Sequence, residues 1–297
     1  MREIIESDIP KLEALIKQEL NGSGYESIER LGGMTNHTYR VRINGEEEYV
    51  MRIPGEGTEE MISRGNERIS TMLACELGID ARLLFFGEDG TKITEYVRDA
   101  ETMNMSAMRN AGVIIGVADT LRRLHTCGRD TGVPFDVFDM AQTYEKVIKD
   151  NNVSMYPDYE MIKARIMKLK NELDQQEAIT LVPCHNDPLC ENWLKCENRL
   201  YLIDWEYAGM NDGMWDLADV SIEAEYQPQH DELLLKTYLG HEPSAFERKR
   251  FVANKLYLDY LWTLWGKARV PYEGEEMEQY ALGRYMRLKA NMQEASI

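Results

Sequence analysis

Near the start of the chain, apolar residues Ile9, Leu12, Leu15, Ile16 and Leu20 recur at helical spacing behind Ser7, Asp8 and Pro10. That pattern predicts a capped amphipathic helix ending near Asn21 and Gly22. The period then drops to two, with Tyr39, Val41 and Ile43 alternating with polar residues. The "NGEE" at 44–47 turns the chain into "YVMRI", which predicts a hairpin. A helix is expected next, carrying Met61, Ile62, Ile69, Met72 and Leu73, followed by two short strands, "RLLFFG" and "TKITEYV". Past residue 97 strand signals thin out. In "AGVIIGVADTLRRLHTC" the residues Ile114, Val117, Ala118, Leu121 and Leu124 form one apolar stripe. Further helices are predicted around 141–150, 157–176, 230–239, 245–268 and 275–293. The reading is an α+β protein with a small β-rich lobe, 1–97, and a larger helical lobe, 98–297, joined by "TEYVRD".

The chain has 297 residues, enough for two lobes that each bury a core. Acidic residues outnumber basic ones 52 to 34, a formal charge of −18, which repels nucleic-acid backbones and anionic membranes. Solubility is the plainer reading of that charge, and it is also compatible with a cationic small substrate. The segment "MREIIESDIPKLEALIK" is charged throughout, and the longest apolar run, "VIIGVA" at 113–118, is too short to span a bilayer. A cytoplasmic protein without membrane insertion is expected. Cys75, Cys127, Cys184, Cys190 and Cys196 are odd in number and show no CxxC, so reduced thiols are expected.

The candidate chemistry lies at 185–216. In "CHNDPLCENW" an aspartate, Asp187, stands two residues after His185, and Asn192 follows five residues later. The apolar "AITLVP" precedes this loop. Two short strands joined by "KCENR" would bring Asn192 near Asp204, with Leu200, Leu202 and Asp204 on one strand face and Glu206 continuing that face. An amide oxygen and a carboxylate converging there suit Mg²⁺. Asp187 could take a proton from a substrate hydroxyl, which is how kinases organise phosphoryl transfer. For a single aspartate, a solvated turn is the better explanation. The joint spacing HxDxxxxN, followed by an apolar strand ending in Asp, reverses that preference.

"HNDPLCEN", "LIDWEYAGMND" and "MWDLAD" resemble the choline/ethanolamine kinase family, within the aminoglycoside-phosphotransferase-like kinases, and "LGGMTNHTYRV" resembles that family's phosphate loop. The likeness runs over nearly the whole chain. It implies a two-lobed protein-kinase-like fold using ATP and Mg²⁺. In that frame Asp187 is the base, Asn192 and Asp204 hold Mg²⁺, and Glu206 holds a second ion or its water. Backbone N–H groups of Gly33, Met34, Thr35 and Asn36 cover the phosphates, Arg52 places its charge on them, and Glu67 pairs with Arg52. Glu95, Tyr96 and Val97 face adenine. His185 and Asp216 are read as structural support that positions the catalytic loop.

In "LYLDYLWTLWGKAR", Trp262 and Trp265 share a helix face with Tyr257 and Tyr260 nearby. Such a pair alone reads as core. The resemblance implies instead a cage for a trimethylammonium head, with Tyr207 as a further wall and Tyr280 or Tyr285 as others. The expected reaction is phosphorylation of choline. An ethanolamine or aminoglycoside kinase is the alternative, and a non-catalytic nucleotide or quaternary-ammonium binder is a third reading from a different class. Oligomeric state is not readable from the sequence.

Overall fold

The computed structural model describes residues 3–22, 24–32, 36–45, 47–55 and 62–295. Gly33, Met34 and Thr35 of the expected phosphate loop, and Met61, lie outside the described residues. Helix α1 (Ile9–Glu19) starts with Pro10 in its first turn and buries Leu12, Leu15 and Ile16. Strands β1 (Ser27–Gly32), β2 (Asn36–Ile43) and β3 (Glu47–Pro54) form an antiparallel meander. Between β2 and β3 the chain reverses at Asn44 and Gly45, whose φ values of 48° and 81° are the left-handed pair that a tight hairpin turn requires. Helix α2 (Arg64–Glu76) and strands β4 (Leu83–Phe86) and β5 (Lys92–Glu95) follow, giving a five-stranded sheet in the order β1-β2-β3-β5-β4. The period-two residues Tyr39, Val41 and Ile43 join Met51, Ile53 and Ile93 against the apolar side of α1. Tyr39 carries its hydroxyl inside by donating to Asp8 at 2.6 Å.

Helix α2 corrects one expectation. Ile69 and Met72 are 46% and 45% exposed, and the face turned inward instead carries Arg64, Glu67, Ser70, Thr71, Leu73 and Ala74. The helix buries charge because that charge is paired, as described below.

The chain continues through β6 (Glu101–Thr102), α3 (Met105–Met108), α4 (Ala111–His125), α5 (Val137–Asp150), α6 (Tyr159–Gln176) and β7 (Val182–Cys184). Strands β8 (Trp193–Cys196), β9 (Arg199–Leu202) and β10 (Gly209–Asn211) come next. Helices α7 (Met214–Glu223), α8 (Pro228–Leu239), α9 (Ala245–Glu273) and α10 (Glu275–Glu294) complete the chain. The apolar stripe expected on α4 is buried, from Ile114 to Leu124. Helix α9 starts on a reciprocal cap between Ser244 and Glu247 and runs through Pro271, past the expected end. Helix α7, not anticipated as a helix, is buried at every position from Met214 to Ile222. No helix among the described residues is long and apolar enough to cross a membrane.

Two compact units result. The first comprises Met1–Asn104 with Cys190–Ala208, and the second Met105–Leu189 with Gly209–Ile297. The hairpin of β8 and β9 therefore groups with the N-terminal segment, unlike the continuous division into 1–97 and 98–297 read from the sequence. The chain passes from one unit to the other between Leu189 and Cys190, inside the spacing that separates Asp187 from Asn192.

Candidate functional site

In the first unit the hairpin sets the register of the oxygen donors. Trp193 pairs with Leu202, and the Ile203 N–H donates to the Asn192 carbonyl at 2.9 Å, so Asn192 lies opposite Ile203 and next in line to Asp204. Strand β9 has already ended. Asp204 takes φ 70°, which breaks the pleat and removes the shared strand face expected for Leu202, Asp204 and Glu206. Glu206 and Tyr207 sit in the turn that follows, anchored by Trp205, whose indole N–H donates to the Leu202 carbonyl at 3.1 Å.

Three side chains reach Asp204 and Glu206, and Glu67 holds two of them. Arg52, buried on β3, places Nη1 2.5 Å from Glu67 Oε1 and 3.4 Å from Asp204 Oδ1, and its Nη2 donates to the Gly90 carbonyl at 2.9 Å. Arg64 holds the other Glu67 oxygen at 2.8 Å and lies 3.8 Å from Glu206 Oε2. Asn36 donates its amide to Glu206 Oε2 at 3.1 Å. Burial alone would raise the Glu67 carboxyl, but the charges of Arg52 and Lys92 outweigh it and hold Glu67 below the usual range. Glu206 goes the other way, pushed up to about 7 by burial and then by the negative charge of Asp204.

The raised Glu206 carboxyl beside the negative charge of Asp204 fits a divalent cation, which would relieve that repulsion. Asp204, Glu206 and the Asn192 amide are the residues that could hold it. A second group is less suited. His125, Cys184 and Asp216 bring ligand atoms within 4.8 Å of one another, but burial pushes the Cys184 thiol well above its ordinary value, and Asp216 already accepts three hydrogen bonds.

The connector gives a correction. The Glu95 N–H donates to the Arg82 carbonyl at 3.0 Å and the Tyr96 N–H to the Glu48 carbonyl at 3.2 Å, so these donors, expected for adenine, serve the sheet itself. The Tyr96 ring lies under the Arg40 guanidinium at 4.2 Å. Val97 follows them in the connector, half-buried.

In the second unit the catalytic loop leaves β7, which pairs with β10. Asp216 on α7 accepts the N–H of His185 and of Asn186, each at 2.8 Å, and faces His125 Nε2 at 3.0 Å. His185 is fully buried, and its Nδ1 lies 3.3 Å from the Asp187 N–H. Asn186, at φ 67°, is gripped by the Asn211 amide and by the Trp215 indole N–H, which donates to its carbonyl at 3.0 Å. The loop is thereby fixed in a conformation that leaves the Asp187 residue half-buried at its tip.

The aromatic pair is present, with Trp262 buried and Trp265 half-buried. Trp262, 5% exposed, meets Trp265 edge to face at 6.0 Å, and Trp265 meets Tyr280 in the same manner at 5.5 Å. Arg269 stands over the Trp265 ring at 5.6 Å and Arg284 over Tyr280 at 5.1 Å. Tyr257, Tyr260 and Tyr285 are engaged elsewhere, against Phe138, Tyr159 and Tyr156. Tyr207, the other expected wall, belongs to the first unit.

Sequence reasoning missed the acidic stripe of α7, where Asp216, Asp219 and Glu223 recur at helical spacing. Asp219 interacts electrostatically with Glu223, Asp187 and Arg284, and the Tyr280 hydroxyl, pushed up to about 12 chiefly by burial, also feels Arg284, Glu223 and Asp187. The stripe was visible in "DLADVSIE", but without the helix assignment it had no face. His125, which braces Asp216, carried no local signal, because the two are 91 residues apart.

The family model for choline/ethanolamine kinase matches residues 28–282. Protein LicA of Haemophilus influenzae (strain ATCC 51907 / DSM 11121 / KW20 / Rd) is 30% identical over 258 residues, covering 84% of this chain and 96% of that one. A choline/ethanolamine kinase family protein from Mesorhizobium loti superposes with a TM-score of 0.85 at 33% identity, over 95% of this chain and 94% of the other. The choline kinase LicA from Streptococcus pneumoniae gives 0.79 at 30% identity, over 96% and 99%. A LicA in complex with AMP gives 0.79 at 29% identity, over 99% of each chain.

Proposed function

Because this chain belongs to the choline/ethanolamine kinase family, as a phosphotransferase with an alcohol group as acceptor, we propose that it transfers the γ-phosphoryl group of ATP to the hydroxyl of choline. The observation that carries the reading is the chain of contacts from Glu67 through Arg52 to Asp204 at 2.5 and 3.4 Å. A strand cation fixed by a helical glutamate and reaching the aspartate past a hairpin is the charge arrangement that phosphoryl transfer requires. The names of the solved relatives, a choline kinase and an AMP complex, support choline and an adenine nucleotide.

Each residue then has a task. Arg52 neutralises phosphate charge while Glu67 holds its guanidinium in place. Asn192, Asp204 and Glu206 would hold Mg²⁺, which when bound would supply positive charge against that of the phosphates. Asp187, oriented by the grip of Asp216 on the two preceding backbone N–H groups, accepts the hydroxyl proton as the oxygen–phosphorus bond forms and the bond from the γ-phosphorus to the bridging oxygen of ADP breaks, ADP leaving with that oxygen's electron pair. Trp262, Trp265 and Tyr280 border the place of the ammonium head, with α7 supplying negative charge. The grip on the loop contributes by placement, since a base displaced by a fraction of an ångström loses much of its effect.

The test is ADP release measured side by side with choline, ethanolamine and kanamycin. Turnover with choline exceeding the others supports the reading, and turnover with kanamycin alone would replace it with an aminoglycoside kinase. Asp187→Asn should lower kcat by about 10³-fold or more while nucleotide affinity, read by calorimetry, changes less than about threefold. Full activity in that variant would remove Asp187 from the base role.

A further inference from the structure

The second unit encloses a cavity of about 670 Å³, a volume that suits a small organic ligand. Its walls come from the start of α5, the end of α6, the approach to β7 and the end of β10, with Asn254 and Tyr257 of α9 completing them. Leu181 of this wall precedes β7 whereas Asp187 follows it, so the strand lies between the cavity and the catalytic loop. Tyr257 and Trp262 stand about 140° apart round the axis of α9, so the cavity and the aromatic pair use different faces of one helix. Val137, Leu173, Ile179, Leu181 and Met210 supply apolar surface, of which Leu181 stays 54% exposed. Tyr257 is 7% exposed, yet its hydroxyl has no hydrogen-bond partner among the described residues. A buried hydroxyl left idle calls for a polar group from elsewhere.

Charge says which ligand. Among the lining residues the single cation is Lys170, and it is engaged, donating to Asp174 at 2.5 Å and lying 5.3 Å over the Phe138 ring. Asp212 is paired with Arg250. That leaves Asp136, which caps α5, and Asp139 as carboxylates that the lining does not neutralise. Burial and then the negative charges of Asp174, Asp212 and Glu172 push the Tyr257 hydroxyl up, the sign expected where the field is negative. Apolar surface beside surplus carboxylates fits an amphipathic cation, whose hydrocarbon body leaves water while its N–H groups find an acceptor in the hydroxyl oxygen. We propose that this cavity is a second ligand site, separate from the acceptor site, and that it takes a primary alkylammonium. The place matters for the chemistry. Asn211 on its wall donates its amide to Asn186 Oδ1 at 2.9 Å, next to Asp187, and Asp212 accepts the Met214 N–H at 2.9 Å at the start of α7.

The experiment titrates the full chain with octylammonium in a calorimeter, with and without saturating choline, and repeats the titration with octanoate, an anion of similar length. Octylammonium has no hydroxyl to phosphorylate. Leu181→Arg sets a cation on the wall and Asp139→Asn removes a charge, and because both residues are exposed and stand outside the catalytic machinery, folding and basal turnover should be unchanged. Octylammonium should bind saturably in the presence of choline, at least about tenfold tighter than octanoate, and its affinity should fall about tenfold in Leu181→Arg and several-fold in Asp139→Asn. Kinetics give a second readout. Acting through Asn211 and Asn186, octylammonium should lower kcat at saturating choline, whereas a competitor at the acceptor site raises KM alone. Absence of saturable binding overturns the proposal, as does binding that choline abolishes, binding that both variants leave unchanged, or octanoate binding as tightly as octylammonium.

Discussion

At the scale of single residues, Glu67 carries the heaviest constraint. It is fully buried and divides its two oxygens between Arg52 and Arg64. Glu67→Gln leaves two buried guanidiniums with only their longer contacts to Asp204 and Glu206, and breaking such a pair from one side costs about 3–5 kcal/mol. The melting temperature should fall markedly and the KM for nucleotide should rise, while the KM for the acceptor alcohol stays near its starting value. Asp80 gives a pH signature. It is fully buried, with Oδ1 accepting the Ala81 N–H at 2.6 Å, and burial is the chief cause that pushes its carboxyl up to about 6. A raised carboxyl binds a proton in the folded state that the unfolded chain has already released. Its contribution is therefore fully present below the ordinary carboxylate value and is lost as pH rises through about 6. Comparing melting curves at about pH 5 and pH 8, the part of the drop due to Asp80 should vanish in Asp80→Asn, which keeps the acceptor oxygen and removes the titration.

At the scale of elements, the hairpin of α9 and α10 depends on one glycine. A Cβ on Gly266 would lie 2.8 Å from Tyr280 Cδ1 and 3.0 Å from the Ala281 Cβ, so α10 approaches there because a side chain is missing. Gly266→Ala gains up to about 1 kcal/mol of helix propensity but must push Tyr280 aside, and overpacking of this kind costs about 1–3 kcal/mol. Kinetics on this variant should show KM for the acceptor raised several-fold with KM for nucleotide unchanged. A uniform effect on both would mean that Tyr280 does not border the acceptor.

Elements also show what the sequence could convey. Period-two alternation at Tyr39, Val41 and Ile43 located the meander, and the two short strands joined by "KCENR" form the hairpin that sets Asn192 opposite Ile203, because local pattern encodes both. The inward face of α2 was not legible from Ile69 and Met72. Its burial is decided by an ion pair between residues on different elements, and hydrophobic spacing is blind to that. Asp219 escaped notice for a related reason. An aspartate in a helix reads as solvent-facing until packing buries it, and only the coordinates show that α7 is enclosed on all sides.

At the scale of the whole molecule, the formal charge of −18 would act on the two proposed substrates in opposite directions. It attracts a cationic alcohol and repels a polyanionic nucleotide, and both effects weaken as the screening length shrinks from about 10 Å at 0.1 M salt. Raising salt from about 0.02 M to about 0.3 M should therefore raise KM for the acceptor and lower or leave unchanged that for nucleotide. Parallel changes in both would show that global charge serves solubility only.

The left-handed backbone at Asp204 has a further consequence. Conformations of this kind cost a non-glycine residue about 1–3 kcal/mol, so the fold would sit more comfortably with glycine at that position. Heat-hardy mutants harvested without a screen for turnover would therefore tend to lose the very oxygen atoms proposed to hold the cation. Durability and chemistry pull against each other at one φ angle.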